Sequence, residues 1–243
     1  MHYYDVYVRR FGDLYKASYV PRFVRDDGLP FIKKDYVNKK VGDKFLNNII
    51  RARSKILEYA MCNDFDFFFT GTLDSSKYCR DDLETFYTDF SRFIRNIRGY
   101  YNCDIKYLFV PELHKDGKSW HIHGLISGIP ENQLFCFSPE IHPLHLVKKN
   151  YLYWDKYLSK FGFCSLAPIK SKTAVSRYIT KYITEELGDS IPKGSHMYYC
   201  SRGLETSSLV FQGCVTDLPE GCYKGEFCST LWSEDLNAFL DVF

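Results

Sequence analysis

Two strand-like segments joined by a short polar turn constrain the fold of this 243-residue chain more than any other feature. IKYLFVPELH, at 105–114, and WHIHGLISG, at 120–128, are rich in the β-branched and aromatic residues that strands favour. The residues between them, KDGKS, include the aspartate and the glycine that tight turns favour. The sequence therefore predicts an antiparallel β-hairpin at this position.

Further strands and helices are predicted on both sides of the hairpin. The aromatic run FDFFFTGTLD, at 65–74, predicts a buried central strand, and FGFCSLAPI, at 161–169, predicts another. Apolar residues at helical spacing predict helices over 43–61, 80–101 and 172–188. The core-facing residues expected in the second of these helices are Leu83, Phe86, Phe90, Phe93, Ile94 and Ile97.

The two ends of the chain and one internal stretch have weaker patterns. Residues 1–42 predict an irregular or strand-containing extension, and residues 131–160 predict irregular, turn-rich structure. Residues 206–243 predict further strands and a short terminal helix. We therefore expect an α+β fold with a central antiparallel sheet flanked by helices, in one domain spanning 1–243 with its core at about 45–205.

Composition limits the classes of partner and compartment. The net charge of +2 does not by itself indicate nucleic-acid binding, which would need locally concentrated cations. Aromatic residues make up 18% of the chain, which leaves some free for stacking on flat ligands such as bases. Nine scattered cysteines without a CxxC pair predict reduced thiols, and no segment has the pattern of a signal peptide or a membrane span. A cytoplasmic protein without membrane attachment is expected.

The second strand of the hairpin carries a His-x-His pattern. Because side chains alternate faces along a strand, His121 and His123 share one face, while Glu112 and His114 share a face of the neighbouring strand. Two imidazoles and a carboxylate leave open positions on a divalent cation, as in a Lewis-acid site. His114 competes with Glu112 as the third ligand, or contacts substrate instead. The alternative is a strand with two hydrogen-bonded histidines, which is the commoner origin of this pattern.

The third predicted helix places two phenols and an ammonium group together. Tyr178, Lys181 and Tyr182 share one face of a helix that contains RYITKYITEE. One interpretation is an amphipathic helix with two half-buried tyrosines. The other is covalent catalysis, in which a tyrosine hydroxyl attacks a phosphodiester while a metal ion and Lys181 offset the developing charge.

These motifs resemble, in order and spacing, those of the HUH endonucleases, and within them the rolling-circle replication initiators of filamentous phages and plasmids. FFFTGTLD at 67–74 is similar to the family's first motif, and HIHGL at 121–125 is similar to its paired-histidine motif. YITKY at 178–182 is similar to its tyrosine helix, and SRGL at 201–204 to a segment that follows it. The resemblance covers roughly residues 45–205.

The resemblance implies a role for particular residues. The family's metal ligands fall on His121, His123 and Glu112 of this sequence, and its nucleophilic tyrosine falls on Tyr178, followed by Lys181. In members with two tyrosines, the second nucleophile falls on Tyr182. The implied fold is an antiparallel sheet with the metal site on its central strands and the tyrosine helix packed across it.

The resemblance also implies an activity, a cofactor and partners. The protein would nick and rejoin single-stranded DNA at an origin, beside a hairpin, through a 5′-phosphotyrosine intermediate that depends on Mn²⁺ or Mg²⁺. GKS at 117–119 is not a phosphate-binding P-loop, because the first glycine of that motif would fall on Glu112. Without a helicase domain, unwinding and synthesis would depend on a host helicase and a host polymerase.

Arginines recur at every third position of the second predicted helix. Such a stripe is most often a solvated face, although it can also follow a phosphate backbone. If the resemblance holds, local cations would supply the affinity for DNA, and the candidates are Arg92, Arg95, Arg98, Lys170, Lys172 and Arg177.

Other functions use parts of the same pattern. A conjugative relaxase or a single-strand transposase would use the same atoms, although relaxases often place the tyrosine before the histidines. A small-substrate metallohydrolase with an HxHxDH signature is excluded, because Leu125 stands where its aspartate should be. A non-catalytic nucleic-acid-binding protein with structural histidines remains as a third hypothesis, and it predicts no cleavage.

Overall fold

The computed structural model describes residues 3–22, 41–191, 196–225 and 228–240. The part of the predicted N-terminal extension at 23–40 therefore lies outside the described residues. The described part is α+β, with two antiparallel sheets and accompanying helices. This confirms the predicted fold class of an antiparallel sheet flanked by helices.

The strands of the described residues are numbered in chain order. They are β1 Tyr3–Phe11, β2 Leu14–Arg22, β3 Phe67–Thr72, β4 Lys106–Leu113, β5 Trp120–Ser127, β6 Leu134–Cys136, β7 Leu152–Trp154, β8 Cys164–Pro168, β9 Tyr199–Cys200, β10 Ser208–Val215, β11 Tyr223–Lys224 and β12 Ser229–Ser233.

The α-helices of the described residues are numbered in the same way. They are α1 Val41–Cys62, α2 Leu83–Tyr101, α3 Leu144–Lys148, α4 Asp155–Lys160, α5 Lys172–Ile179, α6 Glu185–Ser190 and α7 Asn237–Leu240. Two short 3₁₀ turns occur at Glu131–Gln133 and Thr180–Tyr182.

The described residues divide into two compact units, and the larger one, 41–204, is built on a seven-stranded antiparallel sheet. The strand order is β6-β7-β8-β3-β5-β4-β9, so the aromatic strand β3 lies at the centre, as predicted. The hairpin of β4 and β5 and the strand β8 are confirmed as well. In the hairpin, Glu112 pairs directly with His121.

Helices pack on both faces of this sheet. On one face, the ring of Phe90 in α2 lies 5.2 Å from Tyr107 and 5.3 Å from Phe109. The six residues predicted to face the core from α2 are all buried. On the other face, Tyr178 of α5 lies 5.3 Å from Phe68 of β3, and α1 packs against α5. The candidate residues therefore lie on the sheet face that α1 and α5 cover.

The prediction of one continuous helix over 172–188 is wrong, because the helix is interrupted in the middle. Helix α5 ends at Ile179, a 3₁₀ turn follows, and Ile183 is extended. A new helix, α6, then begins after Thr184, whose hydroxyl accepts a hydrogen bond from the Leu187 N–H at 3.0 Å. Threonine at a helix start followed by two glutamates is a start signal, because the acidic side chains complement the helix dipole.

The prediction of irregular structure over 131–160 is also wrong. This stretch contains the edge strands β6 and β7 and the short helices α3 and α4. Each of these elements has three to six residues. Elements of this length are shorter than two helical turns or a few strand alternations, so they leave no periodic pattern in the sequence.

The smaller unit combines the two terminal segments in a five-stranded antiparallel sheet of order β10-β1-β2-β12-β11. Strands β1 and β2 come from the first segment and the other three from the second, which explains why neither end forms a strong pattern alone. Its separate core consists of Val6, Val8, Ala17, Tyr19, Val215 and Phe239. The expectation of one domain with two extensions stays a prediction.

Two further expectations concern thiols and membranes. All nine cysteines lie in the described residues and are free thiols, as predicted. No helix in the described ranges is both long and apolar enough to cross a membrane.

Candidate active site

The candidate site is built on the three adjacent central strands β3, β5 and β4. Thr70 pairs with His123 and Thr72 with His121, while Glu112 pairs with His121 from the other side. Residues paired across strands point to the same face of a sheet, so the five side chains form one polar patch. Phe69, Gly71 and Ile122 alternate with them and face the opposite, buried side.

Glu112 and His123 are in direct contact. The Glu112 Oε2 atom lies 2.7 Å from His123 Nε2, diagonally across the hairpin. The imidazole is largely shielded, with its side chain 12% exposed, whereas the carboxylate is 50% exposed. The carboxylate therefore retains a face that is open to a ligand.

His121 has a different environment. Its Nδ1 lies 3.1 Å from the Thr72 hydroxyl, and its Nε2 is buried without a hydrogen-bond partner among the described residues. The ring of His114 stacks against it, with centroids 4.9 Å apart. The backbone N–H of Asp116 donates to His114 Nδ1 at 3.4 Å, so His114 is held at the end of β4 beside the paired histidines.

Burial lowers the pKa of both paired imidazoles. For His121, loss of solvation is the largest cause, and the neighbouring His114 acts in the same direction while Glu112 opposes it. For His123, loss of solvation again dominates, and the contact with Glu112 partly offsets it. Both rings are therefore neutral at pH 7, which is the state in which imidazole nitrogen binds a metal ion.

The donor set fits a divalent cation in its chemistry. Two neutral imidazoles and a half-exposed carboxylate share one face, and one imidazole nitrogen, His121 Nε2, is buried without a partner among the described residues. In the described ranges, however, no three His, Cys, Asp or Glu side chains already stand close enough to hold an ion. Loading would therefore require a change of side-chain conformation at this patch.

The two tyrosines lie directly over the histidines. The Tyr182 ring stacks on His123 with centroids 4.2 Å apart and an interplanar angle of 13°. Its hydroxyl donates to the Tyr178 hydroxyl at 3.2 Å. Tyr178 is 44% exposed, whereas burial and the contact with Tyr178 raise the pKa of Tyr182 well above its ordinary value. The more accessible phenol is therefore Tyr178.

Caps and one arginine position the tyrosine segment. Ser171 begins α5 by accepting the Ala174 N–H at 3.3 Å. Arg53 of α1 donates its Nε–H to the Ile183 carbonyl at 2.7 Å, where the helix is interrupted. Lys181 lies in the 3₁₀ turn with its ammonium 5.2 Å from the Tyr178 ring centroid. The interruption thus keeps Tyr178, Lys181 and Tyr182 together, as the sequence predicted, although on a turn and not on one helix.

A cleft of about 710 Å³ opens beside this arrangement. His123, Tyr178 and Tyr182 line one part of it, and Tyr151 and Lys170 line another. Aromatic rings, hydroxyls and a cation in one cleft are suited to a nucleotide, because bases stack on rings and phosphates attract cations.

Comparison with protein families gives one match. Residues 66–187, half of the chain, match the family model of the replication-associated protein ORF2. The chain belongs to this family. The matched region includes Glu112, both paired histidines and both tyrosines, and membership supports a replication initiator that acts on DNA. No curated protein and no solved structure matches this chain.

The cations predicted to bind DNA are spread over this replication-associated protein. Arg92, Arg95 and Arg98 lie on α2, on the sheet face opposite the histidines; Arg92 pairs with Asp89 at 3.0 Å, and Arg98 donates to the Ile105 carbonyl. DNA binding by this stripe stays a prediction.

The remaining predicted cations lie nearer the tyrosines. Lys172 at the start of α5 forms an ion pair with Asp64 at 2.7 Å, and Arg177 is exposed on the same helix. Lys170 lines the cleft. A role of these cations in binding DNA stays a prediction too.

The sequence did not assign functions to three residues of the site. Phe68 contacts both tyrosines and His123, and Thr70 and Thr72 contact the two imidazoles. A usable signal was present, since the three side chains alternate along FFFTGT on the same strand face. What the sequence lacked was the register between β3 and β5, which pairs each threonine with a histidine.

Proposed function

We propose that this replication-associated protein initiates rolling-circle replication by nicking and rejoining single-stranded DNA at an origin. The observation that carries the proposal is the contact between the two motifs. The Tyr182 ring stacks on His123 at 4.2 Å, and the Tyr182 hydroxyl is bonded to that of Tyr178. A strand histidine pair and a helix tyrosine pair, about sixty residues apart, are therefore parts of one site.

Tyr178 is the proposed primary nucleophile. It is the more exposed phenol, it lines the cleft, and it receives a hydrogen bond from Tyr182 that would stabilise negative charge on its oxygen. Attack by its hydroxyl oxygen on a backbone phosphorus forms a tyrosyl 5′-phosphodiester and breaks the bond to the 3′ oxygen. The phenol proton is lost, and the released 3′ oxygen takes up a proton to become the primer hydroxyl.

Charge on the phosphate is offset by neighbouring residues. Lys181 lies next to the Tyr178 ring and supplies a positive charge. Glu112, His121 and His123 would hold a divalent cation, Mn²⁺ or Mg²⁺, which when bound polarises the phosphate. Rejoining reverses the first step, with Tyr182 or a free 3′ hydroxyl as the second attacking group.

The cleft supports a single-stranded substrate. Its mixture of rings, hydroxyls and Lys170 suits unpaired bases and backbone together, whereas a base within a duplex cannot reach a ring at the bottom of a cleft. We propose origin DNA beside a hairpin as this substrate, with strand separation by a host helicase and extension by a host polymerase.

A covalent-adduct assay tests the proposed function. Single-stranded oligonucleotides tiling the DNA that carries the gene, labelled at the 3′ end, are incubated with the protein and Mn²⁺ and separated on a denaturing gel. The wild-type protein is expected to retain label, because the 5′ phosphate of the labelled fragment is joined to tyrosine. Tyr178→Phe and His121→Ala are expected to lose the adduct by a factor on the order of 1000 or more.

The control is Tyr223→Phe, which removes a hydroxyl from an exposed tyrosine of the terminal sheet and should leave the adduct unchanged. Retention of the adduct in Tyr178→Phe together with loss in Tyr182→Phe would assign the primary nucleophile to Tyr182. An adduct that survives the loss of both hydroxyls would overturn the mechanism.

A further inference from the structure

Both paired histidines contact a threonine hydroxyl of β3 through the same ring nitrogen. The Thr72 hydroxyl lies 3.1 Å from His121 Nδ1, and the Thr70 hydroxyl lies 3.3 Å from His123 Nδ1. A hydroxyl can either donate or accept, so these contacts alone fit both imidazole tautomers. The environment of the other ring nitrogen, Nε2, decides between them.

For His121, the environment favours a proton on Nδ1. Its Nε2 is buried and has no partner among the described residues. A buried N–H without an acceptor is rarer in proteins than a buried acceptor without a donor. The proton is therefore assigned to Nδ1, which donates to Thr72, and Nε2 keeps a free lone pair.

For His123, the environment favours the opposite tautomer. Its Nε2 lies 2.7 Å from a Glu112 oxygen, and an ionised carboxylate can only accept. His123 therefore donates from Nε2, and Nδ1 accepts from the Thr70 hydroxyl. Before Nε2 can offer a lone pair to a cation, its proton must leave, and the neutral ring must then carry a proton on Nδ1.

We propose that Thr72 and Thr70 are positioning residues that set the tautomers of the two proposed metal ligands. Thr72 accepts from His121 and keeps Nε2 available. Thr70 can reverse its role, donating to His123 while Glu112 holds the Nε2 proton and accepting from it once that nitrogen faces a cation. The proposal rests on the proposed function only where it treats the histidines as ligands.

Valine and serine substitutions separate the hydroxyl from the shape of the side chain. Valine matches threonine in volume but cannot bond to the ring, whereas serine keeps the hydroxyl. Loss of the residue that orients a metal-binding histidine typically weakens metal binding by about 10- to 100-fold. We expect that loss in Thr72→Val and in Thr70→Val, and binding within about twofold of wild type in the serine variants.

The first measurement uses the metal-free full chain without DNA. Long-range ¹H–¹⁵N spectra of the histidine rings report which nitrogen carries the proton, with signals assigned through His121→Ala and His123→Ala. The expected result is an Nδ1–H ring for His121 and an Nε2–H ring for His123. Thr72→Val should abolish the preference at His121, and Thr72→Ser should keep it.

The second measurement titrates each variant with Mn²⁺ alone and follows the free ion by electron paramagnetic resonance. Thr88→Val, at an exposed position of α2, controls for the effect of valine, and thermal unfolding checks that each variant folds. An Nε2–H ring at His121 in the wild-type spectra overturns the proposal, as does unchanged Mn²⁺ binding in Thr72→Val. If the tautomers are as expected but wild type binds no Mn²⁺, the metal part of the proposed function fails and the tautomer assignment stands.

Discussion

At the scale of single residues, Phe68 connects the histidines with the tyrosines. Its ring lies 6.2 Å from His123, 5.3 Å from Tyr178 and 6.3 Å from Tyr182. It comes from the central strand β3, so it links the tyrosine segment to the most constrained part of the sheet. The position of the nucleophile relative to the imidazoles therefore depends on a residue without any reactive group.

Removal of this ring should impair the reaction without removing any catalytic group. Phe68→Ala is expected to lower the single-turnover rate of adduct formation by on the order of 10- to 100-fold, because small displacements of reacting groups are costly. Phe68→Leu keeps apolar volume and should lose less. Equal rates for wild type and Phe68→Ala, measured with saturating oligonucleotide, would show that the ring does not position the tyrosines.

The buried histidines should make the stability of the metal-free protein depend on pH. Burial lowers the pKa of His121 and His123 below their ordinary 6.5 in the folded state. Below pH 6.5 the unfolded chain therefore binds more protons than the folded chain, and the free energy of unfolding falls as pH decreases toward the lowered values. Above that pH the two rings contribute no slope.

Urea unfolding of the metal-free protein between about pH 7.5 and about pH 5.5 checks this dependence. A His121→Ala, His123→Ala double variant should lose less stability over this range than wild type. His145→Ala, at an exposed position of α3, is the matched control and should keep the wild-type slope. A slope that does not change in the double variant would contradict the assignment of neutral buried rings.

At the scale of elements, the strand that carries the histidines is fixed by a close approach to its neighbour. A Cβ atom on Gly124 of β5 would lie 2.3 Å from the Leu108 carbonyl oxygen and 2.9 Å from the Phe109 Cα. These are backbone atoms of β4, which cannot move aside as a flexible side chain can. Gly124, one residue after His123, therefore allows β4 and β5 to pair as closely as they do.

Gly124→Ala should lower the free energy of unfolding by about 1–3 kcal/mol, the usual cost of overpacking a well-packed interior. Gly99→Ala in α2 is the matched control, because nothing lies within 4 Å of its added Cβ. Alanine has a better helix propensity, so this change should raise stability by up to about 1 kcal/mol. Urea denaturation of both variants measures the difference, and equal effects would contradict the close approach.

The sequence was informative where elements were long and their pattern was repeated. The aromatic strand β3, the hairpin of β4 and β5 and the apolar face of α2 were all predictable, because eight or more residues shared one periodicity or composition in each region. The interruption before Thr184 was missed because apolar spacing continues across it, while the capping threonine is a single local signal. Contacts between strands, such as Thr72 with His121, depend on register, which no local pattern encodes.

At the scale of the whole molecule, the candidate residues all belong to the unit 41–204. That unit has its own buried core, and the terminal unit has another. The family match, 66–187, lies entirely within the larger unit. The chemistry proposed for this protein therefore needs only the contiguous middle of the chain.

A fragment containing residues 41–204 should fold alone and retain adduct formation. Each unit buries its own apolar cluster, which is the usual requirement for independent folding. Circular dichroism and cooperative urea unfolding test the fold, and the adduct assay tests the activity. A fragment that unfolds without cooperativity would show that the terminal segments are needed for its stability.

The terminal sheet has a consequence for the order of events during synthesis. Strands β1 and β2 leave the ribosome first, but their partners β10 and β12 are made only after the middle of the chain. An isolated two-stranded hairpin is marginally stable in water, so the first twenty residues have no lasting structure until the last strands arrive. The unit with the proposed chemistry can thus fold on the growing chain, whereas the sheet of the two ends must form after translation is nearly finished.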